Sequence, residues 1–155
     1  MFMNDRALLI AKYFIARNNK EKKGLTNKKL QKLLYYAQAW NLVFNNKKLF
    51  NNDIEAWIHG PAVPSVYAKY KSFGFNDINE KVDEKDFQNL KKNEIRVLNA
   101  VWNIYGKYDA DYLETLTHNE EPWLKARRDA LPYQASSSVI PPALMKEYYG
   151  RQMAK

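Results

Sequence analysis

The chain has 155 residues, enough for one domain, with no cysteine and a formal net charge of +8 from 25 basic and 17 acidic residues. The missing cysteines exclude disulfide frameworks and thiolate metal sites, and no apolar stretch approaches the roughly 20 residues of a membrane span. The N-terminal run MFMNDRALLIAKYF carries Asp5, Arg6 and Lys12, which is not a signal-peptide layout, so a cytoplasmic protein with no membrane contact is expected.

Most of the chain reads as helix. In 4–19, Ala7, Ile10, Ala11 and Phe14 recur at i, i+3, i+4 and i+7, with Asn4 or Asp5 as the cap. Gly24 then breaks the chain and Thr26 caps a second helix, with Leu25 and Leu30 spaced as a hydrophobic staple. Leu30, Leu33, Leu34, Ala37, Trp40 and Phe44 form a face wide enough to make this helix central. Lys28, Lys29 and Lys32 are expected on its wet arc.

After the polar connection NNKKLFNN, the run IEAWIH alternates strictly. Ile54, Ala56 and Ile58 share one face, and Glu55, Trp57 and His59 the other. A strand needs a partner, and the segment 48–50 is the nearest candidate for a small hairpin, so the β element is expected around residues 48–59. Gly60-Pro61 then turns the chain, Pro64 opens a helix whose face is Val63, Val66, Tyr67, Tyr70 and Phe73, and Gly74 stops it. A polar loop at 75–83 precedes a long helix over 84–106, broken near Asn93. Short helices follow: one capped by Asp109, one started by Pro122, and a last one over 141–150 after a Ser-rich loop at 136–138. The expectation is a mainly α, compact multi-helix fold, a single domain over 1–155 with one small β element.

Chemistry has few places to reside. His118 lies four residues from Glu114 and three from Glu121, a spacing that could bring two metal ligands together. Pro122 interrupts that helix, however, and a structural histidine at a helix junction is the plainer account. Asp109 is explained by capping. There is no Gly-rich phosphate loop and no GxSxG. Nothing points to a nucleophile, a cofactor or a metal, and the chain is not read as an enzyme.

The segment RNNKEKKGLTNKKLQK (17–32) holds seven basic residues and one acid. Helix, glycine turn, helix is the outline of a helix-turn-helix, with Asn27, Lys28, Gln31 and Lys32 placed to meet bases. The apolar breadth of the second helix argues against a peripheral recognition helix. A protein partner is the other reading: Trp57, on the outer face of a short strand, is either covered by a later helix or exposed for binding.

Taken together, LTNKKLQKLLYYAQAW, IEAWIHGPAVPSVYAKY and LTHNEEPWLKAR resemble the Panacea antitoxin domain, the family of SocA-type antitoxins and phage-associated GepA proteins. The match is close over 25–70 and looser over 98–128. It rests on Leu30, Gln31, Lys32, Leu33 and Tyr35; on Glu55, Ala56 and Trp57; on Gly60, Pro61, Pro64 and Tyr67; and on Thr117, His118, Pro122 and Trp123. Two positions depart from the family pattern: Ile58-His59 stands where a Lys-Tyr-like pair is common, and Ala62 where valine is common.

The resemblance implies a cytoplasmic antitoxin encoded beside a toxin gene, binding its toxin directly. Alarmone-synthetase-like enzymes are among the toxins such proteins neutralise. In the SocA branch, delivery of the toxin to an AAA+ protease replaces simple binding. No catalytic residue and no cofactor is implied. Trp57, His59, Lys28, Lys29 and Lys32 are the candidate partner contacts, and nucleic acid is the less favoured partner. Gly60, Pro61, Pro64, Tyr67, His118, Pro122 and Trp123 are expected to shape the fold.

Overall fold

The computed structural model describes residues 5–154. Among them are seven α-helices and a two-stranded antiparallel sheet: α1 (Arg6–Glu21), α2 (Asn27–Asn45), β1 (Glu55–Trp57), β2 (Gly60–Ala62), α3 (Pro64–Tyr70), α4 (Lys92–Tyr105), α5 (Ala110–His118), α6 (Glu121–Ala126) and α7 (Pro142–Met153). The mainly α expectation with one small β element holds. No described helix is long and apolar enough to cross a membrane.

Local chemistry sets the helix starts. Asp5, Thr26 and Asp109 accept hydrogen bonds from the backbone N–H of Leu8, Lys29 and Tyr112 and so fill orphan donors of the first turns. Of the two cap candidates for α1, Asn4 lies outside the described residues. Pro64 occupies the first turn of α3, where a missing N–H has no cost.

Helix α2 is the axis of the fold, packed on α1, α3, α4, α5, α7 and β2. Every residue from Lys29 to Ala39 is buried, so its apolar breadth reflects neighbours on all sides. Only its end emerges: Phe44, expected on the apolar face, is exposed.

Three sequence expectations are corrected here. First, the hairpin does not use 48–50. β1 pairs with β2 in the register Glu55–Ala62, Ala56–Pro61 and Trp57–Gly60, leaving Ile58 and His59 as the turn. The Gly-Pro corner is therefore itself a strand. Second, a 3₁₀ turn at Glu84–Phe87 precedes α4, which starts at Lys92, so the long helix is interrupted a few residues before Asn93. Third, α6 ends at Ala126 while α7 continues through Gly150 to Met153.

A later segment completes the sheet. The Ala56 N–H donates to the Ser138 carbonyl and the Ile140 N–H to the Ile54 carbonyl, both at 2.8 Å, and Glu55 bridges Val139. These bonds cover the free edge of β1, which would otherwise present open donors and acceptors.

Candidate functional site

The hairpin is tied to α2 by polar side chains. The Val63 N–H donates to Gln31 Oε1 at 2.8 Å, Gln31 Nε2 donates to Asn27 Oδ1 at 3.0 Å, and Asn27 Nδ2 donates to the Tyr67 carbonyl at 3.1 Å. Lys32 Nζ donates to the Pro61 carbonyl at 3.2 Å. Gly60 takes φ +108°, and a Cβ there would meet Lys32 Cε at 2.4 Å and Thr117 Oγ1 at 3.1 Å. Glycine is thus required twice, for the left-handed backbone and for the lysine beneath it.

Helices α5 and α6 hold the hairpin from behind. Trp123 Nε1 donates to the Trp57 carbonyl at 2.8 Å. Arg127 stacks over Trp123 and donates to the carbonyls of Ala56, Leu131 and Gln134. His118 stacks on Trp123 with ring centroids 3.8 Å apart, and burial lowers its pKa. His118 thus sits at the end of α5, against Trp123 of α6. Among the described residues no group of three or more His, Cys, Asp and Glu side chains is placed to hold a metal ion.

The lysines part company. Lys28 pairs with Asp111 at 2.8 Å and with Glu114; partial burial opposes its charge, but these two carboxylates outweigh it and raise its pKa. Lys29 and Lys32 are buried, which corrects the wet-arc expectation for both. Lys29 Nζ reaches the Gly106 carbonyl at 2.5 Å, and burial, helped by Lys23, lowers its pKa to about 8. Lys32, only 2% exposed, is pushed to about 7 by burial and by Lys28, with Glu114 offsetting only part. Both stems cross α2's crowded flank to reach backbone carbonyls. A helical wheel that counts every lysine as polar misses this.

A cleft of about 280 Å³ opens between the first turns of α2, the hairpin and the end of α3. Asn27, Lys28, Gln31, Lys32, Trp57, Ile58, His59, Tyr67, Lys71 and Phe75 line it. Trp57 is half-buried: its ring meets Tyr67 edge to face at 5.1 Å and its Nε1 donates to Glu55 Oε1 at 2.8 Å. Ile58, expected on the core face with Ile54 and Ala56, is instead half-buried in the turn. His59 is exposed and lies 3.3 Å from Glu114 Oε2. Phe75, assigned from the sequence to a polar loop, is 96% exposed.

Two further clefts adjoin this one. A cleft of about 320 Å³ shares Lys28, Gly74 and Phe75 with it and adds Lys23, Lys29 and Asp109. A shallower one of about 400 Å³ shares Trp57 and Ile58 and adds residues 135–137. Phe75 and the Trp57–Ile58 ridge therefore separate three hollows on one continuous face. Trp57, His59, Lys28 and Lys32 come together on the central hollow, and Lys29 lines its neighbour. Phe75 and Lys71 were missed as site residues; a lone phenylalanine in a polar loop was the only available signal for the first.

With this geometry in view, the comparisons assign the fold to a family. Residues 30–124, more than half the chain, match the family described as antitoxin SocA-like, Panacea domain, and the chain belongs to it. That stretch begins inside α2, after Asn27 and Lys28, takes in the rest of the cleft lining from Gln31 to Phe75, and ends in α6. A curated relative, Antitoxin SocA of Caulobacter vibrioides (strain NA1000 / CB15N), is 39% identical over 62 residues, 40% of this chain and 33% of the relative. The chain thus matches about a third of that relative's length. No solved structure matches it.

Proposed function

We propose that this protein is a non-catalytic antitoxin that neutralises a cognate protein toxin by direct binding, with the face around Phe75, Trp57 and His59 as the docking surface. Family membership over residues 30–124 is the observation that carries the reading. A nearly fully exposed phenylalanine beside a half-buried tryptophan supports the choice of face, since exposed aromatic anchors are enriched in protein interfaces. Neutralisation is by occlusion, and a total buried area of about 1,600 Å² suffices for a specific complex.

The helix-turn-helix alternative loses its reading residues. Asn27, Gln31 and Lys32 are bonded to the hairpin or to α3 inside a cleft rather than set on an outer face, and Lys28 is half-buried and paired with Asp111 and Glu114. A recognition helix must offer such side chains to base edges.

The test is genetic and then biochemical. Expressed alone, the product of the adjacent gene arrests growth; co-expressed with this protein, growth returns, and the two purify as one complex. An adjacent product that is harmless, or one still toxic when this protein is present, overturns the reading. Toxin that disappears only when a AAA+ protease is present would replace occlusion by delivery for degradation.

A further inference from the structure

The central cleft has an unbalanced electrostatic lining. Its charged residues are Lys28, Lys32 and Lys71, and no carboxylate lines it. Lys28 already spends its charge on Asp111 and Glu114. Lys71 is on the exposed rim. Lys32 has one hydrogen bond, to a neutral carbonyl, and no ion pair among the described residues. A buried lysine amine with a single carbonyl partner is costly to charge, and an opposite charge beside it offsets that cost. The walls are of another kind: Trp57, Ile58, Tyr67 and Phe75 present ring and aliphatic surface. Asn27 and Gln31 are committed to holding the hairpin, which leaves the lysines as the groups with spare donors.

We propose that this cleft is a socket for an acidic side chain flanked by an apolar one on a protein partner, the carboxylate directed toward Lys32 and Lys71 and its apolar neighbour lying against Trp57 and Phe75. The proposal rests on the antitoxin reading for who the partner is, but not for the chemistry of the site. A volume of about 280 Å³ accommodates two side chains, not a folded element. The partner therefore inserts a short protrusion, and the rest of the interface spreads over the adjoining hollows. Partner binding also charges Lys32, because a neighbouring carboxylate favours the ammonium form. Lys28 on the same helix, Glu114 and His118 on α5 and His59 in the hairpin turn are the other titratable groups around it.

The experiment uses the whole chain and two probes, acetyl-Phe-Asp-Phe-amide and acetyl-Phe-Asn-Phe-amide, followed by NMR amide shifts. The aspartyl probe should shift the signals of Trp57, His59 and Phe75 and bind about tenfold more tightly than the asparaginyl probe. Lys32→Met should abolish that preference. Lys71→Gln, on the exposed rim where folding is not at risk, should reduce it. Equal affinity for the two probes, absence of shifts at millimolar concentration, shifts confined to another face, or tighter occupancy of the cleft by a single-stranded oligonucleotide than by the aspartyl probe would each overturn the socket. The growth assay separates the two readings. If the Lys32→Met chain restores growth as well as the original and shows no loss of toxin affinity, the socket fails and the antitoxin stands. If the original chain does not restore growth, the antitoxin reading fails whatever the peptides do.

Discussion

Helix α2 buries polar groups at two neighbouring places in its core stretch, in opposite ways. Near its middle, Tyr35 and Tyr36 enter a closed network. Tyr36 donates to Glu120 Oε1 at 2.7 Å, Tyr149 donates to the same oxygen at 2.9 Å, and the Tyr35 and Tyr149 hydroxyls lie 2.8 Å apart. Tyr36 stacks on Tyr105 at 4.0 Å, whose hydroxyl accepts from Trp40 Nε1 at 2.9 Å. One turn toward the N-terminus, Lys32 has one neutral partner and a hollow beside it. In the first region burial is compensated bond for bond; in the second a charge is left for something else to match. A fully satisfied network fixes α7 and the α5–α6 junction onto α2. An unsatisfied one costs stability and is the sort of site where binding energy is stored. The contrast can be broken by substitution.

The largest effect is expected in the hairpin that lies over Lys32. Gly60→Ala forces an L-residue into φ +108° and a Cβ against Lys32 Cε. Chemical denaturation should show a loss of roughly 2–4 kcal/mol. The clash and the strain are separable: in a Lys32→Ala background the same substitution should cost less, leaving the backbone term alone.

Next comes the closed network. Glu120→Ala strips the tyrosine hydroxyls of Tyr36 and Tyr149 of their shared acceptor and should cost roughly 2–3 kcal/mol, read from the denaturation midpoint. Burial raises the pKa of Glu120 while the two hydroxyls hold it down. Glu120→Gln, which keeps an acceptor oxygen, should therefore cost clearly less than Glu120→Ala. Equal losses would mean that the side chain fills space and the bonds matter little.

The open region predicts the reverse sign. Folding lowers the Lys32 pKa from 10.5 to about 7. Between those values the unfolded chain binds a proton that the folded chain does not, so stability rises with pH across that window. Below about 7 both states are protonated and the folded state bears the full burial cost. The slope approaches about 1.4 kcal/mol per pH unit for one group. Lys29, lowered to about 8, acts in the same sense but only above that value. Lys32→Met should therefore flatten melting temperature against pH between about 7 and 8 and stabilise the protein at the lower end. A variant that melts lower at neutral pH with its slope intact would show that Lys32 is compensated after all.

These two regions also differ in how far the sequence exposed them. Helix α2, its Thr26 cap and the Asp109 cap follow from rules that act within a few residues, as do the Pro64 start and the placement of Ile54 and Ala56 in the core. The hairpin partner was not legible, because Gly60-Pro61-Ala62 has no strand propensity. It pairs because Gln31 and Lys32, far along the chain, take up its free backbone groups, and because 138–140 closes the other edge of β1. Tyr36, Tyr105 and Tyr149 could be assigned to apolar faces, whereas their convergence on Glu120 is a tertiary fact. The buried lysines were misread for a general reason: amphipathic patterning grades a side chain by its tip, and a lysine stem is long enough to bury its tip under a neighbouring turn.

The smallest effects on stability sharpen the contrast within the face itself. Trp57 combines both characters. Its ring packs against Tyr67 and its carbonyl is held by Trp123, so Trp57→Ala should cost roughly 1 kcal/mol through the lost aromatic contact. Phe75 is 96% exposed and has no such role, so Phe75→Ala should leave stability within about 0.5 kcal/mol of the original while weakening the complex with the adjacent gene's product. Measured together, the ratio of binding loss to stability loss should be far higher for Phe75 than for Trp57. A Phe75→Ala chain that binds its partner undiminished would move the docking surface away from this face, and one that unfolds would make Phe75 part of a core that the fold does not otherwise contain.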